Sequence, residues 1–75
     1  MASAAAGSRI RKRSVTLSGH RTSVSLEEEF WQALRDIARR DGCSTRALIE
    51  RIDRERDGNL SSALRVYVLR RCKAG

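Results

Sequence analysis

Alternate polar side chains between Arg21 and Leu26 are the residues of this sequence best suited to chemistry at a surface. Arg21, Ser23 and Ser25 carry hydrogen-bond donors and acceptors and are each separated by one residue. Apolar or β-branched residues occupy the positions between them, and this period of two is typical of a strand with one buried face. The segment therefore predicts a docking strand whose polar side meets a partner, rather than a catalytic pocket.

The distribution of charge indicates which kind of partner the docking strand meets. All nine carboxylates lie between Glu27 and Asp57, so both ends of the chain carry only basic charges, and the formal net charge is +7. Such an excess on a small protein favours attraction to a polyanion. We expect no membrane association, because one short basic cluster binds lipid only marginally. That cluster lies ahead of the strand and consists of Arg9, Arg11, Lys12 and Arg13.

The length of 75 residues and the cysteine content restrict the class of protein. A chain this short forms one domain at most and buries a small fraction of its surface, so we expect a partner subunit. Cys43 and Cys72 are far apart and His20 is the one histidine, so neither a metal site nor a cofactor is expected. Two free thiols are typical of a reducing compartment, which predicts a cytoplasmic protein.

A change of period ahead of Phe30 predicts the first of three helices. Phe30, Leu34 and Ile37 recur at intervals of three or four residues, the pattern of an amphipathic helix. Gly42 follows its end, where glycine readily takes the left-handed conformation. Acidic residues 27–29 lie at its start, where carboxylates interact favourably with the helix dipole. We interpret them as structural rather than as a metal or acid/base site.

Two further helices are predicted beyond Gly42, each preceded by residues that can cap it. Ser44 or Thr45 can cap the second helix, and Asn59 or Ser61 can cap the third. The predicted order is strand, helix, helix, helix. The protein is therefore expected to be mainly α with a short β-ribbon.

The docking strand needs a second strand, because its backbone donors and acceptors are otherwise unpaired. We expect two copies to supply each other's ladder as an antiparallel ribbon, a shape that fits the major groove of B-DNA. Residues 14–18, where Val15 and Leu17 alternate with hydroxyls, can fold back as an additional strand, which would widen the ribbon or partly cover it. The domain is expected to span residues 14–75. Residues 1–13 are expected to form a disordered basic arm along the DNA backbone or in the minor groove, the alternative being a merely solubilising tail.

Three motifs between Lys12 and Arg65 carry a family resemblance. They are Lys12-Arg-Ser-Val-Thr-Leu-Ser-Gly-His-Arg-Thr-Ser-Val-Ser-Leu-Glu27, Asp41-Gly-Cys-Ser-Thr45 and Asn59-Leu-Ser-Ser-Ala-Leu-Arg65. Together they resemble a ribbon-helix-helix DNA-binding protein of the Arc and MetJ type, in a subfamily of short, mostly uncharacterised bacterial proteins. The resemblance covers roughly residues 12–71. It implies an intertwined homodimer, here with an extra C-terminal helix.

The resemblance also implies contacts to DNA for particular residues. In such dimers three alternate strand residues face the bases, which maps to Arg21, Ser23 and Ser25; arginine can bind guanine O6 and N7 with two hydrogen bonds. The alternative for the serines is ordinary solvent-facing polarity. The family also anchors a phosphate at the N-terminus of its second helix, where a plain helix cap is the alternative. The corresponding residues are Cys43, Ser44, Thr45 and Arg46.

These inferences predict a homodimer that binds double-stranded DNA sequence-specifically and acts as a transcriptional repressor. The alternative is a protein-interaction module, such as the dimerising part of an antitoxin or an adaptor. Its third helix would present Val66, Leu69 and Cys72 to a protein partner. No enzymatic activity is expected, because a protein this small offers little room for a catalytic pocket.

Overall fold

A β-hairpin followed by three helices forms the described part of the protein, residues 9–74 of a computed structural model. The elements are β1 (Ile10–Leu17), β2 (His20–Glu27), α1 (Glu28–Asp41), α2 (Thr45–Glu55) and α3 (Leu60–Ala74). This order confirms the predicted mainly α fold with a short ribbon and an additional C-terminal helix.

The two strands of the hairpin pair antiparallel over all eight residues of each strand, ending with Leu17 opposite His20. Ser18 and Gly19 form the turn between them, with φ angles of +50° and +84°. A two-residue turn of type I′ requires positive φ at both positions, and glycine adopts it without steric cost. The turn therefore joins the strands directly and leaves no loop at the tip.

The hairpin bears on two predictions made from the sequence. One edge of β2 pairs with β1 of the same chain, and the expected pairing between two copies stays a prediction. The structure shows the extra strand considered for residues 14–18, and that strand begins earlier, at Ile10. Residues 10–13 are therefore part of the sheet and not of a disordered arm, while residues 1–8 of the predicted arm lie outside the described residues.

Side chains of the hairpin point alternately to two faces, and residues opposite each other in the ladder share a face. The inner face carries Leu17, Val24 and Leu26, which are buried against the helices. We call the other side the outer face. It carries Ile10, Lys12, Ser14, Thr16, Arg21, Ser23, Ser25 and Glu27.

The ends of the helices follow the predicted capping residues. Gly42 takes a left-handed φ of +75° after α1. The Ser44 Oγ atom accepts a hydrogen bond of 3.0 Å from the Ala47 amide at the start of α2. The Asn59 Oδ1 atom accepts one of 3.0 Å from the Ser62 amide at the start of α3. These residues confirm where the sequence places the two turns between helices.

The core lies between the inner face of the hairpin and the three helices. Leu34 of α1, Leu48 of α2 and Leu64 of α3 are all fully buried there. Burying such a side chain contributes about 1.5–3 kcal/mol. Since Leu64 is as buried as the others, α3 is an integral part of the domain.

A polar contact also ties α3 to the end of α1. The Arg71 guanidinium donates to both carboxylate oxygens of Asp41, at 2.9 and 3.0 Å, and to the Tyr67 hydroxyl at 2.7 Å. The hydrogen bonds from Arg71 hold the pKa of Asp41 below its usual value. The contact to both carboxylate oxygens is bidentate, and it joins α3 to α1 at the surface of the domain.

Candidate nucleic-acid interface

The outer face of the hairpin brings the three predicted base-contacting residues together. Arg21, Ser23 and Ser25 alternate along β2; Arg21 and Ser23 are exposed and Ser25 is half-buried. Their neighbours across the ladder on β1 are Thr16, Ser14 and Lys12, respectively. The outer face therefore combines four hydroxyl groups with two cations, all of them able to donate hydrogen bonds to an anionic or acceptor-rich partner.

The outer face carries one carboxylate, that of Glu27. Arg65 of α3 donates from its Nε atom to the Glu27 Oε1 atom at 3.0 Å. This hydrogen bond lowers the pKa of Glu27, so its charge is retained and compensated locally. The cations Lys12 and Arg21 lie on the same face, and neither has an ion-pair partner within residues 9–74.

Two residues of the predicted basic arm turn away from this face. The Arg11 Nε atom lies 3.0 Å from the Glu28 Oε1 atom, and the Arg11 carbonyl oxygen accepts a hydrogen bond of 3.2 Å from the Trp31 indole. The Arg13 guanidinium lies 5.2 Å from the centroid of the Trp31 ring, within the range of a cation–π interaction. Arg11 and Arg13 therefore attach β1 to α1, and Lys12 is the cation that β1 contributes to the outer face.

Arg9, the first residue of the cluster, precedes β1 and is exposed. Its carbonyl oxygen accepts a hydrogen bond of 3.0 Å from the Glu28 amide, which continues the ladder by one pair. The backbone of Arg9 is thus fixed beside the start of α1.

The four predicted phosphate-binding residues meet at the N-terminus of α2, in different roles. The Cys43 amide already donates to the Ala38 carbonyl oxygen at 2.9 Å, and the Ser44 hydroxyl caps the helix. The amides of Thr45 and Arg46 belong to the first turn of α2, which has no intrahelical acceptors for them. The amides of Thr45 and Arg46 are therefore available to bind an anion.

One hydrogen bond joins the hairpin to α2. The amide of Ser18, in the turn, donates to the Glu50 Oε2 atom at 2.6 Å. Glu50 lies in the middle of α2, whose first turn contains Thr45 and Arg46. The outer face and the N-terminus of α2 are therefore held in a defined relation to each other.

The second edge of β2 is also relevant to binding. Hydrogen-bonded pairs alternate along an antiparallel ladder, and the bond between the Glu28 amide and the Arg9 carbonyl identifies which pairs they are. By this alternation the backbone groups of Arg21, Ser23 and Ser25 point away from β1. Within residues 9–74 no other strand covers this edge.

Ser14 and Thr16 lie on the outer face, although the sequence alone suggested no role for either. The signal that could have identified them is the pair Ser18-Gly19, which can form a two-residue turn with polar and apolar residues alternating on both sides. A hairpin at this position fixes the register and so the face of every residue.

The sequence model of a ribbon-helix-helix domain matches residues 10–72, which is most of the chain. The chain belongs to the ribbon-helix-helix family. This confirms the resemblance drawn from the three motifs. Ribbon-helix-helix proteins are generally DNA-binding transcription regulators or antitoxins. They typically bind DNA as dimers, and the domain is known for regulation rather than for catalysis.

The solved structure of an uncharacterized protein from Bordetella pertussis Tohama I has the same ribbon-helix-helix fold. It is similar to this chain with 41% sequence identity and a TM-score of 0.73, over 85% of this chain and 56% of that one. The chain thus spans about half the length of that protein. A comparison with curated proteins gives no significant match.

The described part of this ribbon-helix-helix protein contains neither a cluster of metal ligands nor a helix suited to span a membrane. No group of three or more metal-ligating side chains occurs within residues 9–74. None of the helices described has the length and apolar character of a membrane span.

Proposed function

We propose that this ribbon-helix-helix protein binds double-stranded DNA sequence-specifically as a homodimer and acts as a transcriptional repressor by occupying its operator. The observation that carries the proposal is the outer face of the hairpin, where exposed hydroxyls and two cations lie on an antiparallel ribbon. Such a ribbon can enter the major groove of B-DNA, where side chains reach the base edges.

Arg21 is the main specificity residue in this proposal. Its side chain is exposed and has no carboxylate partner within residues 9–74, so it is available for a bidentate contact to guanine. A contact of this kind discriminates between bases by about 1–3 kcal/mol. Ser23 and Ser25 add hydroxyl groups that can donate hydrogen bonds to, or accept them from, the edges of either purines or pyrimidines.

The open edge of β2 supports the proposed homodimer. An unpaired strand edge is a ready template for another strand, and its exposed amides and carbonyls gain partners when it is covered. Two copies of β2, antiparallel and centred on Ser23, would pair through the backbone groups of Arg21, Ser23 and Ser25. The two central strands would then present both copies of these residues as one intersubunit ribbon.

The N-terminus of α2 supplies phosphate contacts in the proposed complex. The amides of Thr45 and Arg46, together with the Arg46 guanidinium, provide donors and positive charge for one phosphate in each subunit. If a dimer neutralises about six phosphates, log affinity should fall with log salt concentration at a slope of about −5. A slope near zero would exclude binding of this electrostatic kind.

The test is selection of bound duplexes from a random pool at physiological salt, with wild-type protein and two variants. Arg21→Ala should lose preference for guanine at one position of each half-site. Arg54→Ala is the matched control, because Arg54 is exposed near the opposite end of α2 and its replacement changes the net charge equally. The proposal is rejected if wild-type protein enriches no motif, or if Arg21→Ala and Arg54→Ala select the same motif as wild type.

A second candidate function is a protein-interaction module that uses α3. Val66 and Leu69 are 44% and 54% exposed, and Cys72 is exposed nearby, so α3 carries apolar surface on the side away from the core. Apolar side chains in such positions often mark protein contacts. Capture of a stoichiometric protein that Leu69→Ser no longer binds, without any retarded DNA band for wild type, would favour this candidate.

A further inference from the structure

We propose that β1 contributes a second row of DNA contacts, in which Lys12, Ser14 and Thr16 bind the phosphate backbone on both flanks of the central ribbon. This inference rests on the proposed function, DNA binding by a homodimer. It assigns a role to a strand that the minimal ribbon does not require.

The register places these three side chains beside the proposed base-reading residues. Lys12 lies opposite Ser25, Ser14 opposite Ser23 and Thr16 opposite Arg21. All three β1 residues are exposed, and no hydrogen bond or ion pair within residues 9–74 uses their side chains. An ammonium group and two hydroxyls are typical donors to phosphate oxygens.

The width of a four-stranded sheet indicates whether β1 would contact DNA bases or phosphates. Neighbouring strands lie about 4.8 Å apart, so the outer strands of a four-stranded sheet made from two hairpins are separated by about 14 Å. The major groove is about 12 Å wide. The two central β2 strands can therefore enter the groove, whereas each β1 strand lies over a groove wall, where the phosphates are.

The opposite face of β1 supports the same assignment. Arg11 and Arg13 are occupied by Glu28 and Trp31, so they do not compete for the DNA and they hold β1 on α1. Lys12 is left as the one cation between Ile10 and Leu17 that faces outward. One lysine on each flank would give the dimer two charge contacts to phosphate from β1.

The experiment measures the affinity of full-length variants for the selected operator across a series of salt concentrations. Lys12→Ala should weaken binding to all sequences alike and reduce the magnitude of the log–log slope by about 1.8, because the dimer loses two phosphate contacts. Lys73→Ala is the matched control, since it removes the same exposed side chain near the end of α3, and its slope should equal that of wild type. Lys12→Arg should restore the slope.

The hydroxyl groups are tested by the double variant Ser14→Ala, Thr16→Val. It should lose at least about thirtyfold in affinity without a change in the selected motif, because the dimer carries four of these hydroxyls and each donates a hydrogen bond to a phosphate. Ser62→Ala, at an exposed serine of α3, is the control. Thermal unfolding of each variant should match wild type, which separates lost contacts from lost folding.

The outcomes distinguish this inference from the function on which it rests. If wild-type protein binds no duplex, the proposed function fails. If wild type binds and Arg21→Ala changes the motif, but Lys12→Ala keeps the wild-type slope, the phosphate role of β1 alone is overturned. A changed motif for Lys12→Ala or the double variant would also overturn it, because β1 would then read bases, as expected if a single hairpin enters the groove.

Discussion

Replacement of Leu64 by alanine tests whether α3 belongs to the domain. Leu64 has no exposed surface, and it packs in the same core as Leu34 and Leu48. Fully buried leucines cost about 3–5 kcal/mol when truncated to alanine, because both transfer free energy and packing are lost. A chain of this length has a total unfolding free energy of about 4–11 kcal/mol. The substitution should therefore remove a large part of the stability.

Leu69→Ala provides a matched control on the same helix. Leu69 is 54% exposed, so the same change of side chain should alter the unfolding free energy by about 0.5 kcal/mol or less. Urea unfolding followed by far-ultraviolet circular dichroism gives both values. The midpoint temperature of Leu64→Ala should fall by about 12–40 °C, from a shift of about 4–8 °C for each kcal/mol.

The measurement should be repeated at several protein concentrations, because association of two chains stabilises them by mass action. Equal effects of Leu64→Ala and Leu69→Ala would refute the packing of α3 on the core. A cost at Leu69 that grows with protein concentration would instead identify α3 as a contact surface and support the protein-interaction candidate.

Two further predictions concern the Asp41 carboxylate and the hairpin turn. Because the hydrogen bonds from Arg71 lower the pKa of Asp41 in the folded state, the unfolded state binds more protons. The unfolding free energy should thus fall as the pH drops below about 4, and Arg71→Gln should flatten this decline in urea titrations between pH 2 and 6; identical acid profiles would contradict the assignment. At the turn, Gly19→Val should lower the unfolding free energy by about 1–2 kcal/mol, since a β-branched residue is strained at a φ of +84°. Ser18→Asn, which gives the Asn-Gly pair favoured in type I′ turns, should be neutral or stabilising in the same thermal unfolding assay.

The helices and their ends could be predicted from the sequence because the responsible interactions are local. The apolar spacing of Phe30, Leu34 and Ile37 identifies α1, and Gly42 and Ser44 mark the turn that follows. Each of these signals acts within a few residues of the chain. The matching family model confirms the architecture that they indicate.

The first half of β1 could not be predicted in the same way. Arg11 and Arg13 lie on the inner face, where alternation normally places apolar residues, so the period of two is hidden there. The groups that stabilise the two arginines there are distant in sequence: Arg11 forms an ion pair with Glu28, and the Arg13 guanidinium lies over the ring of Trp31. From the sequence alone, the basic cluster is therefore indistinguishable from a loose arm.

The polar contacts between α3 and the rest of the domain could not be predicted from the sequence either. Arg65 meets Glu27 across 38 residues, and Arg71 meets Asp41 across 30. Such pairs depend on how the helices cross, which no local pattern specifies. The electrostatic state of the outer face, where Glu27 is compensated by Arg65, could thus be derived only from the structure.

Trp31 gives the protein a built-in optical reporter. It is the one tryptophan in the chain, it is almost fully buried, and its indole bonds to the β1 backbone beneath Arg13. Its fluorescence emission should shift to longer wavelength whenever β1 detaches from α1 and water reaches the ring. Stopped-flow measurement of Trp31 fluorescence, without any attached dye, can therefore show whether β1 remains packed on α1 while a ligand binds or detaches first.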